Sequence, residues 1–227
     1  MKSKQIAAER AVELIKDGMT VGLGTGSTAY WAIQKIGELV KGGLSVQAVA
    51  TSDKSEQLAR QLEIPIIAFT DIDELDLTID GADELDPDLN LIKGGGGALF
   101  REKIVASASR ELVIIADESK AVEHLGAFPL PVEIARFGAE MTMRRLRKLG
   151  CTLRLRGAGD MPFVTDNGNY IADCSFASIE DPGTLHDRIN RIVGVVENGL
   201  FIGMANQAVI GYENGTVKLL KRSSNQI

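Results

Sequence analysis

Apolar residues recur at helical spacing from the start of the chain. Ile6, Ala7, Ala11, Leu14 and Ile15 fall on one face, and Gly18 stands where a C-cap would close the helix. The period then changes. Residues 20–23 form a short apolar run that reads as a strand, a glycine loop occupies 22–28, and a helix follows over about 28–40. Residues 44–50, 65–69, 75–79 and 112–116 read as further strands, and 53–62 and 98–110 as helices. The run Leu112-Val113-Ile114-Ile115-Ala116 has no polar position, as expected of a strand buried on both faces. Helices alternating with apolar strands predict an α/β fold with a mostly parallel sheet.

The pattern shifts after Phe128-Pro129-Leu130-Pro131. Strands are expected at 132–137, 151–156 and 195–202, and helices at 138–149 and 184–193. Residues 163–172 read as a hairpin whose Asn167-Gly168 pair suits a type I′ turn. The order β-α-β-β-α-β is the ferredoxin-like plan, so a second, smaller α+β domain is expected at 129–205. A last hairpin around Asn214-Gly215 is expected to return to the first domain, which then comprises 1–128 and 206–227. The polar end, 222–227, is expected to fray.

Composition narrows the classes. With 227 residues and 44% hydrophobic content the chain can bury one large core or two modest ones. A net charge of −6 argues against a nucleic-acid binder, which needs a basic face. It leaves room for one small anion. Cys151 and Cys174 have no Cys/His cluster around them and are expected as buried thiols in a reducing compartment. His124 and His186 lack metal-ligand spacing, and Trp31 reads as core. The first 19 residues carry charges throughout and have no continuous apolar segment of a signal peptide; no run reaches membrane-span length. A cytoplasmic protein without membrane contact is the expectation.

Four segments could carry chemistry. Gly24-Thr25-Gly26-Ser27-Thr28 joins a strand to a helix, where free N–H groups and hydroxyls can meet an anion. It matches neither a dinucleotide fingerprint, whose third glycine would fall at Ser27, nor a P-loop. Alone it is equally a tight turn with Ser27 as N-cap. Asp80-Gly81-Ala82-Asp83-Glu84 follows an apolar strand, at the edge where α/β sheets bind ligands; alone it also suits an acidic surface turn. Lys93-Gly94-Gly95-Gly96-Gly97 precedes a helix carrying Glu102. Ala98, Leu99, Val105 and Ala106 surround Glu102 at helical spacing, so the carboxyl should leave bulk water and its pKa should rise toward neutrality, as a general base requires. Lys120, in Asp117-Glu118-Ser119-Lys120 after the buried strand, could hold a phosphate.

Taken together, the segments GTGST at 24–28, DGADE at 80–84, LIKGGGGALFREKI at 91–104, IADESK at 115–120, LPVE at 130–133 and VTDNGN at 164–169 resemble the ribose-5-phosphate isomerase A family, in its order. One departure is Gly97-Ala98-Leu99-Phe100, where the family more often has another small residue at 97 and Thr at 100. The resemblance implies a Rossmann-like domain beside a ferredoxin-like one. It also implies interconversion of ribose 5-phosphate and ribulose 5-phosphate through a cis-enediolate, in the non-oxidative pentose phosphate pathway. By resemblance Glu102 is the base. Lys93 and the backbone of Gly94, Gly95 and Gly96 face the developing oxyanion, and Asp80, Gly81, Ala82 and Asp83 face the sugar, with Asp80 or Asp83 assisting ring opening. Thr25, Gly26, Ser27, Thr28 and Lys120 hold the phosphate. No metal or organic cofactor is implied; a homo-oligomer, dimer or tetramer, is.

Two other classes compete. A sugar-phosphate sensor would need a DNA-binding module and has no use for a base at 102; a nucleotide-dependent enzyme fails both loop spacings.

Overall fold

A computed structural model of the chain describes residues 2–159 and 161–222; the polar end expected to fray lies, from 223 onward, outside the described residues. A six-stranded sheet runs in the order Val217–Lys221, Gln207–Gly211, Leu112–Asp117, Leu77–Gly81, Thr20–Leu23, Gln47–Ala50. All neighbours are parallel except the first pair. Side-chain alternation sorts the two faces. Val21, Leu23, Leu77, Ile79, Val113, Ile115 and Val209 share one core with the helices Lys2–Val12 and Ala29–Lys41. Leu112, Ile114, Ala116, Ala208 and Ile210 line another core, with Leu91, Ala106 and Phe201. This explains the all-apolar run at 112–116: every residue in it is within 1% of full burial.

In chain order the parallel strands lie 2-1-3-4-5 across the sheet. Successive connections leave strand Thr20–Leu23 to one side and strand Leu77–Gly81 to the other. A crevice therefore opens between the carboxyl ends of these two neighbours, the place where such sheets bind ligands.

The second unit is a four-stranded antiparallel sheet in the order Val195–Asn198, Leu130–Ile134, Tyr170–Ser175, Thr152–Leu155. With the helices Ala139–Arg147 and Pro182–Asn190 it has the 4-1-3-2 order of the ferredoxin-like plan. Asp181 caps the second helix by accepting from Thr184 N at 2.9 Å, with Pro182 in its first turn. A three-stranded sheet, Leu200–Phe201, Leu91–Ile92 and Glu84–Leu85, bridges the two units.

Several local expectations fail for identifiable reasons. The first helix stops at Val12; Gly18, at φ +82°, turns the chain into the sheet, and its N–H donates to Ser45 O. Residues 65–69 make one isolated bridge, Ile66 to Ala48, and pass into a 3-10 turn. Pro65 has no N–H to extend a ladder at this sheet edge. The hairpin expected at 163–172 does not form. Gly168 has positive φ but Asn167 does not, whereas a type I′ turn needs both. Asn167 instead points its amide at Arg101 and Glu133, and the small hairpin is Gly157–Ala158 with Met161–Pro162. The strand expected over 195–202 breaks at Gly199. Gly199 donates to Pro131 O and accepts from Lys93 N, so Leu200–Phe201 joins the other sheet. Cys151 and Cys174 are both buried and free.

Candidate active site

The crevice at the switch point is lined by three loops and two flanking lysines. Thr25–Thr28, Gly81–Asp83 and Lys93–Gly96 form its walls, Glu102 reaches its floor, and Lys4 and Lys120 stand at one end. Sequence reasoning missed Lys4. It lies on a polar position of the first helix, with no neighbouring motif to mark it. In the fold its ammonium donates to Ser27 Oγ at 2.9 Å.

The first loop is held from behind. Thr25 Oγ1 meets Thr51, Ser52 and Ser55 hydroxyls at 2.7 to 3.2 Å, so this hydroxyl is a support of the loop rather than the ligand donor expected of it. Ser55 Oγ also donates to Gly24 O. The following helix begins after Thr28 with no side-chain cap, Ser27 included; Tyr30 N and Trp31 N already donate to Gly26 O and Thr28 O, so the amides that can serve an anion at the lysine end are those before Tyr30. A Cβ on Gly24 would fall 2.1 Å from Asp80 Oδ1, so only glycine lets the two strand ends approach.

The acidic segment divides its three carboxylates among three tasks. Asp80 is 1% exposed and does not line the crevice. Its Oδ1 accepts from Thr25 N (3.0 Å) and Gly81 N (2.7 Å), and its Oδ2 meets Lys93 Nζ at 2.9 Å. Both of its oxygens thus meet protein donors beneath the crevice. Asp83 does line it, and accepts from Gly95 N at 2.7 Å. Glu84 turns away and receives the N–H groups of Gly126 and Phe128.

Lys93 and Glu102 meet at the centre. Lys93 Nζ donates to Gly81 O (2.6 Å) and Glu102 Oε1 (3.2 Å) as well as binding Asp80. Burial alone would lower the Lys93 pKa, but the carboxylates of Asp80, Glu102 and Asp83 together outweigh it and drive the value up, so the ammonium persists. For Glu102 burial is the largest effect and raises the pKa; Lys93 pulls it back, Asp80 pushes it up again, and it settles at about 8. Glu102 Oε2 is buried without a hydrogen-bond partner. The helix Leu99–Ser107 that carries it is fixed by its neighbours. Lys103 Nζ reaches Glu197, Asn198 O and Leu200 O, and Arg101 binds Asp53 and the 166–167 turn. Among the described residues, no group of three or more His, Cys, Asp or Glu side chains is disposed to hold a metal ion.

An α/β fold with a buried carboxyl–lysine pair facing a crevice with one cationic end defines an enzyme site suited to moving a proton within a small anionic substrate. Comparison with known proteins specifies it. Residues 47–215 match the family model of ribose 5-phosphate isomerase A (phosphoriboisomerase A). A ribose-5-phosphate isomerase A of Bacillus mycoides is 58% identical over 216 residues, 95% of this chain and 98% of that protein. Ribose 5-phosphate isomerase from Plasmodium falciparum superposes with a TM-score of 0.93 at 43% identity, covering 97% and 98% of the two chains. A D-ribose-5-phosphate isomerase in complex with phospho-erythronic acid gives 0.92 at 38% identity, covering 96% and 97%. The chain belongs to the ribose 5-phosphate isomerase A family. Its activity is the interconversion of ribose 5-phosphate and ribulose 5-phosphate in pentose phosphate metabolism.

Proposed function

We propose that Glu102 is the single base of this isomerisation, taking the proton from C2 of the open-chain aldose and returning it to C1 of a cis-enediolate. The observation that carries this is the state of its carboxyl group: one oxygen on Lys93, the other unpartnered, both at the floor of the crevice, with a pKa near working pH. Lys93, kept charged, and the amides of the Gly94–Gly96 backbone other than Gly95 N, which Asp83 holds, stabilise the oxygen that becomes negative as the proton leaves. Asp80 orients Lys93 from below. Asp83, at the crevice wall, meets the sugar hydroxyls and serves ring opening. Lys4, Lys120, Ser27, Thr28 and the helix N-terminus behind them hold the phosphate. In this reading the chemistry needs no metal or organic cofactor.

We also propose that residues 1–128 with 206–227 and residues 129–205 are the two domains, and that the protein works as a cytoplasmic homo-oligomer, dimer or tetramer. Among the described residues no helix is long and apolar enough to cross a membrane.

The test of the base is Glu102→Gln, which keeps size and polarity but cannot accept the proton. Turnover should fall by about 10²–10⁴-fold, while phospho-erythronate, whose planar carboxylate imitates the enediolate oxygens, should still bind. Near-normal turnover in a folded protein would remove Glu102 from the mechanism.

A further inference from the structure

The glycine loop that lines the crevice is gripped from outside by the four-stranded unit. Arg156 follows the strand Thr152–Leu155 and its side chain crosses to the other unit. Nη1 donates to Gly94 O at 2.9 Å and to Gly95 O at 3.1 Å. Nε and Nη2 are taken by Asp173, at 3.1 and 2.5 Å, on the adjacent strand Tyr170–Ser175. Asp173 is 6% exposed, so the anchor is a largely buried carboxylate. The far end of the loop is covered by Phe163. A Cβ on Gly97 would lie 2.5 Å from its ring, and Phe163 N donates to Arg156 O.

None of these contacts touches the crevice itself: neither Arg156, Asp173 nor Phe163 lines it. Their effect is on the backbone that does. Four successive glycines have no side chains to fix their peptide planes, so their orientation must be set by what binds their carbonyls and amides. Asp83 receives the amide of Gly95, and Gly97 N closes a turn onto Gly94 O at 2.9 Å; Arg156 takes the carbonyls of both Gly94 and Gly95 and is the side chain that holds Gly95 O. A carbonyl and the amide of the next residue belong to one rigid plane pointing opposite ways. Fixing Gly94 O and Gly95 O therefore holds the Gly95 N–H on Asp83 and sets the direction of the Gly96 N–H. The forked guanidinium can hold a carboxylate and two carbonyls at once; a lysine ammonium has neither the reach nor the planarity.

We propose that Arg156, anchored by Asp173, is a positioning residue for the isomerisation: it sets the peptide planes of the glycine loop, so that the unit which contributes no crevice residue nonetheless fixes the geometry of the oxyanion-stabilising backbone. The proposal rests on the assignment of that loop and Glu102 made above.

The experiment compares Arg156→Ala, Arg156→Lys and Asp173→Asn with the parent in steady-state kinetics with ribose 5-phosphate, inhibition by inorganic phosphate, and amide hydrogen exchange of the substrate-free protein. Arg156→Ala should lower kcat by about 10–100-fold, the scale of a misplaced catalytic group, with KM and phosphate inhibition changed less than about threefold. Arg156→Lys should resemble the alanine variant, since charge alone does not set two planes. Asp173→Asn should move in the same direction by less, and it carries the test should the arginine variants fail to fold. Exchange should accelerate at 94–97 and stay unchanged at 24–28. Added guanidinium should restore part of the lost kcat. An unchanged kcat, unchanged exchange at 94–97, a fully active Arg156→Lys, or equal losses in kcat and phosphate affinity would each overturn the proposal. The exchange arm involves no chemistry, so it stands apart from a failure of Glu102 as the base, which the glutamine variant reports.

Discussion

Lys93 and Glu102 face each other at 3.2 Å inside the protein, and the lysine also holds Asp80 at 2.9 Å. The two carboxylates are therefore unequal partners of one cation. Asp80 has two backbone N–H donors besides and is fully satisfied. Glu102 has only the lysine and keeps a buried oxygen free. That asymmetry separates a structural anion from a group able to accept a proton.

The first consequence is a pH dependence. As the proposed base Glu102 must be ionised to act, and burial raises its pKa to about 8. kcat/KM for ribose 5-phosphate should therefore climb with pH through about 8 and level off about one unit above it. Substrate phosphate titrates lower, near 6, and can be separated from this limb. A profile flat from pH 6.5 to 9 would show that the free enzyme's base is not Glu102.

Stability should depend on the same proton in the opposite sense. The folded state binds it more tightly than the unfolded chain, whose glutamate titrates near 4.5. This contribution is complete below that value and is lost as pH rises through about 8. Glu102→Gln removes the titration. Relative to the parent, that variant should gain stability between pH 5 and pH 9, by on the order of a few kcal/mol. Urea melts at the two pH values measure it, and a constant difference would contradict the shifted pKa.

The lysines should fail differently. In the proposed roles Lys120 and Lys4 would meet a phosphate whose charge persists throughout the reaction, so Lys120→Ala should raise KM about tenfold or more with little loss of kcat. Lys93, as proposed, would meet charge that appears only in the transition state, and Lys93→Ala should cost kcat about 10²–10³-fold. It also strands two buried carboxyl groups, at about 3–5 kcal/mol of stability, so the kinetics need a parallel melt. An exchange of the two kinetic patterns would exchange the roles.

Gly24→Ala tests the approach of the two strand ends. The added methyl would meet the Asp80 carboxylate 2.1 Å away, and the carboxylate cannot turn without releasing Thr25 N or Lys93. We expect about 1–3 kcal/mol of destabilisation together with a lower kcat. Gly26→Ala makes the comparison. Its methyl would meet nothing within 4 Å, but its φ of +110° carries a backbone penalty, so destabilisation should come from conformation alone. Equal kcat losses at both positions would show that Asp80 is not the sensitive element.

Much of this was legible in the chain because the informative features are local. The run 112–116 announced a doubly buried strand, and the apolar neighbours of Glu102 announced its burial, since helical spacing alone brings them together. What could not be read depends on partners distant in sequence. Lys4 enters the site because the first helix packs beside a loop 23 positions later. Asp80 and Asp83 look interchangeable in DGADE, yet strand alternation and Gly24 bury one and leave the other at the wall. The turn at 165–169 deceived because Asn-Gly is a strong hairpin signal, while here Asn167 is recruited by Arg101 and Glu133.

The return of Gln207–Gly211 to the flank of Leu112–Asp117 also bears on how the protein is made. During synthesis the apolar strand leaves the ribosome some ninety positions before its neighbour (|i−j| is 94 for the bond from Leu112 N to Asn206). Until then one edge of the Val/Ile-rich run 112–116 stands open, the kind of edge that recruits other chains. The four-stranded unit gains its last strand, Val195–Asn198, only shortly before Gln207–Gly211, so both sheets close when nearly the whole polypeptide has emerged. A chain cut short before residue 207 would keep every crevice residue named above and still be expected to aggregate.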